Sequence, residues 1–285
     1  MGTTITLSAP SFGSIVITGD GVRDGLVYDK LIGWQDIDGV DLGFQKRPNA
    51  PGSFGPNRTY PDGKVISIEG QMFANSRTEA LQARENLTAA YNDGEPITMT
   101  VTDDLRATSR QIAVKSIKFP WTIHQQFKYT FDAEAADPKR YGATARVGTT
   151  LAVPGGGLPF PLVYPLDFGA LPVDGRVLVT NSGNTETVSI YTVSGGQMLD
   201  GFALVNVDTG ERLTYLGPVT SGTTIVLDTA SMTAFINGTA PAGRFLPSPE
   251  WWTVPAKGVR TIQFIALGPV TGTPRVDIDT APAFY

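Results

Sequence analysis

The sequence predicts an all-β chain of two domains, a small barrel or sheet plugged by one helix followed by an antiparallel β-sandwich. Three observations predict it. Short segments alternating apolar with polar residues recur along the chain, 32 Gly and 21 Pro interrupt them at close intervals, and one segment alone carries helical spacing. At 285 residues and roughly 150 residues per domain, each half is long enough to bury its own core.

Residues 14 to 19 and 26 to 28 read as short strands, set apart by the turn pairs Asp20-Gly21 and Asp24-Gly25. From Trp34 to Asp62 the chain carries Asp38-Gly39, Pro48, Pro51-Gly52, Gly55-Pro56 and Pro61-Asp62-Gly63. That much punctuation predicts a long excursion loop or extended hairpin, and an arm reaching toward a neighbouring subunit is one use of such a segment. Residues 64 to 73 alternate cleanly, with Ile66, Ile68 and Met72 on one face and Ser67, Glu69 and Gln71 on the other.

The helix is predicted over Arg77 to Asn92. Ser76 caps it, with Glu79 three residues on as a capping box, and Gly94 closes it. Leu81, Leu87 and Tyr91 are expected to form the stripe that packs on a sheet. Strands follow at 96 to 102, 111 to 119 and 126 to 134, the last placing Phe127, Tyr129, Phe131 and Ala133 on one side. After Asp137-Pro138-Lys139-Arg140-Tyr141 the character changes. Residues 142 to 165 hold Gly155-Gly156-Gly157, Pro159, Pro161 and Pro165, and read as a Gly/Pro-rich linker between a domain of residues 1 to 141 and one of 166 to 285.

The second half alternates at 173 to 180, 186 to 193, 202 to 207, 211 to 216, 223 to 228, 233 to 237 and 259 to 267, with turns such as Asp208-Thr209-Gly210 and Asn237-Gly238 between. Seven or more short strands without a helix predict an antiparallel sandwich.

Composition narrows the function classes. A net charge of -5 and a pI near 4.9, with no cluster of Lys and Arg, argue against nucleic acid as a partner. With no cysteine, disulfides and thiolate metal sites are excluded. The N-terminal residues lack the basic start and apolar run of a signal peptide. No apolar stretch approaches the roughly 20 residues of a membrane helix, so neither a signal peptide nor a membrane association is expected.

Catalytic patterns are absent. The single histidine, His124, disfavours mechanisms that need paired imidazoles, and there is no nucleophile elbow, phosphate loop or dinucleotide fingerprint. Asp36-Ile37-Asp38-Gly39-Val40-Asp41 suggests a calcium loop, but Val40 and Arg47 stand where an EF-hand needs ligands. Asp277 and Asp279 share one strand face and read as the solvent side of an edge strand. Trp251 and Trp252 are the candidate aromatic platform for a sugar ring, although in a strand their rings point to opposite faces.

The ordered set of segments resembles the distal tail protein (Dit) family of siphophages. The likeness is carried by the strand, Ser76-capped helix and strand series closing on Ala135-Ala136-Asp137-Pro138-Lys139-Arg140-Tyr141. It continues through Val179-Thr180-Asn181-Ser182-Gly183-Asn184, Val207-Asp208-Thr209-Gly210, Leu227-Asp228-Thr229, Phe235-Ile236-Asn237-Gly238-Thr239 and Trp252 to Gly258-Val259-Arg260-Thr261-Ile262-Gln263-Phe264. The resemblance implies an N-terminal split β-barrel with one α-helix and a C-terminal galectin-like sandwich. It also implies a structural, non-enzymatic virion protein without cofactor: a homo-hexameric ring at the tail tip, closed through the first domain and assembled in the host cytoplasm. Such a ring joins the tail tube and tape measure proteins to the tail-associated fibre or lysin and receptor-binding proteins. The chain has no segment long enough for the inserted carbohydrate-binding modules of some members. The alternative is an adhesin that grips host cell-wall glycans through Trp251 or Trp252 on the sandwich; a glycoside hydrolase ranks third.

Overall fold

The computed structural model describes residues 2 to 19, 24 to 37, 44 to 55, 61 to 152 and 174 to 285. The chain divides into two compact units, Met1–Gly142 together with Phe284–Tyr285, and Ala143–Ala283. The predicted Asp20-Gly21 turn, Asp38-Gly39 and Gly155 to Gly157 lie outside the described residues.

The first unit comprises β1 (Thr4–Ala9), β2 (Gly13–Thr18), β3 (Gly25–Ile32), β4 (Gln45–Lys46), β5 (Ser53–Phe54), β6 (Lys64–Phe73), α1 (Arg77–Ala89), β7 (Ile97–Thr102), β8 (Ala107–Ile123), β9 (Gln126–Ala135) and β10 (Arg140–Tyr141). Strands β8, β7, β1, β2, β3, β6 and β9 follow one another, and a further β8–β9 pairing closes them into a seven-strand barrel. Every barrel pairing is antiparallel except β2 with β3, which meet in parallel at Thr18 and Val27. Closure follows from the alternation read in the sequence. Ile66, Ile68 and Met72 of β6 and Phe127, Tyr129 and Phe131 of β9 all point into one core, each such side chain contributing roughly 1.5–3 kcal/mol. Gly70 has a packing reason, because a Cβ there would meet the Val27 carbonyl and the Tyr129 hydroxyl. That hydroxyl donates to the Val27 carbonyl at 3.1 Å.

Helix α1 starts where the sequence predicts. The Ser76 hydroxyl accepts the Glu79 N–H at 3.1 Å, while the Glu79 carboxylate reaches one residue further back than a capping box requires, to the Asn75 N–H at 2.8 Å. The helix ends at Ala89, because Asn92, Asp93 and Gly94 turn left-handed with φ of 49°, 52° and 86°. The expected stripe needs correction. Leu81 is 49% and Tyr91 52% exposed, and the buried line is instead Ala80, Leu87 and Ala90. Six positions at about 100° each leave Leu81 roughly 120° from Leu87 around the helix, whereas 80, 87 and 90 stay on one side.

The second unit comprises β11 (Ala145–Thr150), β12 (Arg176–Asn181), β13 (Ser189–Met198), β14 (Phe202–Asn206), β15 (Arg212–Tyr215), β16 (Ile225–Asp228), β17 (Thr233–Ile236), β18 (Ala240–Pro241), β19 (Gly258–Ala266) and β20 (Val270–Thr280). Six of these form a sheet in the order β11, β20, β13, β16, β17, β18, and four form another in the order β12, β19, β14, β15. Tyr191, Val193, Leu227, Val276 and Ile278 from the first sheet share one core with Phe202 and Phe264 from the second, so the two sheets make the predicted sandwich.

Three further expectations are corrected here. Residues 145 to 150 fall within the expected linker, yet they form β11, paired along its whole length with β20. Gly148, Thr149 and Thr150 lack the large apolar side chains that mark a strand. In consequence β20 is no edge strand, since β11 flanks it on one side and β13 on the other. The chain's final strand, β21 (Ala283–Phe284), lies next to β10 at the end of the first unit's sheet, so the C-terminal residues do not all belong with the sandwich.

Candidate functional site

The stretch between Trp34 and Asp62 yields the most exposed element among the described residues. β4 and β5 pair as a short hairpin, Gln45 with Phe54 and Lys46 with Ser53. Gly52, at φ 97°, makes the reversal possible, and the Arg47 guanidinium lies over the Phe54 ring at 5.1 Å. Every residue from 44 to 55 is exposed, and none belongs to either hydrophobic core. An isolated two-stranded hairpin is marginal in water. An arm that displays Phe44 and Phe54 to solvent therefore has the chemistry of a docking element.

The Asp137 to Tyr141 motif is held by a buried cation that sequence reading missed. Arg110, on β8, donates to the main-chain carbonyls of Lys139 at 3.1 Å and Pro138 at 2.6 Å, and its guanidinium lies over the Trp34 ring at 5.0 Å. Within the motif, the Tyr141 hydroxyl donates to Asp137 at 2.6 Å, and Arg140 donates to the Tyr285 carbonyl at 2.6 Å. Burial pushes the Tyr141 hydroxyl up in pKa, and the Asp137 carboxylate adds to the shift. These contacts fasten the motif to the barrel and supply no reacting group. An arginine on the inward face of an alternating strand gives no signal in the sequence.

The remaining sequence candidates are dispersed. His124 sits in the two-residue β8–β9 turn at φ 44°, exposed to solvent. Of the suspected calcium loop, Asp36 accepts the Gly33 N–H at 2.9 Å, and residues 38 to 41 lie outside the described ones. Among the described residues no three His, Asp or Glu side chains gather as metal ligands. Asp277 and Asp279 are each matched with an arginine: Arg275 lies 2.6 Å from Asp277 and Arg146 lies 2.6 Å from Asp279. The Arg146 guanidinium grips Asp279 through two nitrogens and lowers the pKa of that carboxyl.

The tryptophan pair separates, although neither residue lies in a strand as the sequence reading supposed. Trp252 is 4% exposed, with its indole N–H donated to the Tyr191 hydroxyl at 2.7 Å and its ring edge-on to Tyr191 at 5.8 Å. It is core, so no sugar can stack on it. Trp251 is half-buried and packs against the same core, leaving at most part of one ring for a glycan.

No protein-family model matches the sequence, and no curated protein does. Solved structures do match in fold. The Dit protein of SPP1, a paradigm of the hub adsorption apparatus in phages infecting Gram-positive bacteria, is 10% identical with a TM-score of 0.68, the match covering 99% of each chain. The phage P2 baseplate in its activated conformation, with Ca and with Sr, matches at 9% identity and a TM-score of 0.52 over 97% of each chain. The chain thus has the Dit-like all-β fold, as its resemblance implied.

Proposed function

We propose that this chain is the distal tail, or baseplate hub, subunit of a long-tailed phage. The observation that carries the reading is the likeness in fold to SPP1 Dit over 99% of each chain, a span that takes in both units. The physical character of the surface agrees with it. The chain presents no cluster of catalytic groups among the described residues. It does present an arm with no buried residue of its own, which suits an assembly subunit whose work is done by shape and contact.

In this reading six copies close a ring through head-to-tail contacts, and the arm of each copy reaches a neighbour. The ring joins the tail tube and tape measure proteins to the fibre or lysin and receptor-binding proteins at the tail tip. Light scattering coupled to negative-stain imaging of the purified chain tests it. A mass near six times 30.4 kDa with a central hole is expected. A strict monomer at high protein concentration, unchanged when the tail tube protein is added, overturns the reading.

A further inference from the structure

The barrel has an open seam between β2 and β3. These strands meet through a single parallel bridge, Thr18 with Val27, while the other side of β2 pairs with β1 from Thr4 opposite Thr18 to Ala9 opposite Gly13. The Gly19 N–H donates to the Thr3 carbonyl at 3.0 Å, which sets the phase of that ladder. Bonded positions alternate along an antiparallel pair, so Gly13, Ile15 and Ile17 turn their N–H and C=O groups to β1. Ser14 and Val16 turn theirs away from it. Among the described residues no strand pairs with these two on that side, and Val16 is 51% exposed.

A groove of about 290 Å³ lies beside this edge. Ile15, Leu26 and Met72 give it an apolar floor. Its far wall is one face of α1, where Glu79, Gln82, Ala83 and Asn86 recur at helical spacing. Gln82 and Asn86 carry side-chain amides that both donate and accept, joined to each other by a bond of 3.4 Å. Among the described residues lining the groove, Glu79 alone is charged, and its carboxylate accepts the Asn75 N–H at 2.8 Å. Selection therefore falls to main-chain and apolar groups.

We infer that this groove binds an extended, uncharged segment of another protein, which adds to β2 as a strand. The main chain of the segment pairs with Ser14 and Val16 on one edge and meets the Gln82 and Asn86 amides on the other, while alternate apolar side chains enter the floor. An unpaired ladder fits another strand because each N–H and C=O then finds its complement. A folded second copy fits less well. Five residues beside Ser14 to Val16 span roughly 16 Å, a footprint far short of the roughly 800 Å² per partner of a stable interface. The groove adds a peptide ligand to the hub reading without depending on it.

The probe is a terminally blocked, fluorescein-labelled peptide copying Thr3–Ala9. It is uncharged, alternates Ile5 and Leu7 with hydroxyl side chains, and has the sequence that β2 pairs with on its other side. Fluorescence anisotropy should show saturable binding to the native chain. Val16→Pro removes the N–H that faces the groove and no bond to β1, so binding about tenfold weaker is expected. Gln82→Ala combined with Asn86→Ala, at two exposed helix positions, weakens binding from the other wall and keeps the test open where the proline variant fails to fold. No saturation up to about 1 mM peptide overturns the inference. So does undiminished affinity in both variants, the result a peptide displacing β1 would give. Binding seen only where dilution leaves the chain monomeric assigns the groove to a second copy and overturns it equally.

Discussion

Replacing Trp252 by Phe is expected to weaken the second unit by about 3 kcal/mol while leaving the first unit unchanged. The indole N–H donates to the Tyr191 hydroxyl at 2.7 Å, both side chains are buried, and the hydroxyl's surroundings push its pKa up mainly through desolvation. Removing the donor takes away one of the buried hydroxyl's two side-chain partners, the other being Ser189, at a cost of about 2 kcal/mol. The smaller ring leaves a void that adds about 1 kcal/mol. For a unit of this size m in urea is about 2 kcal/mol/M, so the unfolding midpoint of that unit falls by about 1.5 M. Hydrogen exchange read peptide by peptide assigns the loss: segments around Tyr191 and Phe264 lose protection, and those around Phe131 keep theirs. A double-mutant cycle with Tyr191→Phe isolates the bond itself, with a coupling of about 1 kcal/mol expected. A midpoint within error of the native chain, or a coupling near zero, would show that the bond does not hold the sandwich core. The result bears on function too, because loss of glycan binding in Trp252→Ala would then report a damaged core rather than a missing platform.

Other perturbations probe the remaining contacts. Gly70→Ala forces a Cβ onto the Val27 carbonyl and the Tyr129 hydroxyl; a loss of about 1–3 kcal/mol confined to the first unit is expected, measured by urea unfolding. Arg110→Met removes the donor to the Lys139 and Pro138 carbonyls; a cost of about 2–4 kcal/mol and faster exchange of the 137–141 amides should follow, and unchanged exchange there would contradict the assigned role. Asp279 has its folded pKa depressed below the ordinary 3.8 by Arg146. Its contribution is therefore present above the unfolded value and lost as pH falls through the folded one. The amides of β11 should exchange faster below about pH 4, and Asp279→Asn should remove that dependence.

The sequence made the architecture legible wherever one face of a strand is buried and the other is wet. β6, β9 and most sandwich strands announce themselves by alternation, since burial selects the inward side chain and water the outward one. β11 stays hidden for the same reason reversed. Its Arg146, Gly148 and Thr150 face outward beside Asp279, Asp277 and Arg275, and its inward positions are only Val147 and two neighbours without large apolar side chains, so no alternation stands out. The helical stripe misleads in part because Leu81 and Tyr91 look like core on composition, while α1 buries Leu87 with the small Ala80 and Ala90 instead. Arg110 is invisible because carbonyls, which any residue supplies, are among its partners, and the fold alone brings them to it.

The two tryptophans show why a candidate site in such a protein resists reading from sequence. Outside a strand, adjacency does not tell which of two rings turns inward, and Trp252, turned inward, has a donor that a residue far along the chain, Tyr191, satisfies. At 10% identity to SPP1 Dit the fold is retained with few of its side chains in common. A functional surface on this fold therefore has to be read from the chain's own residues, because so few positions carry over from the neighbour.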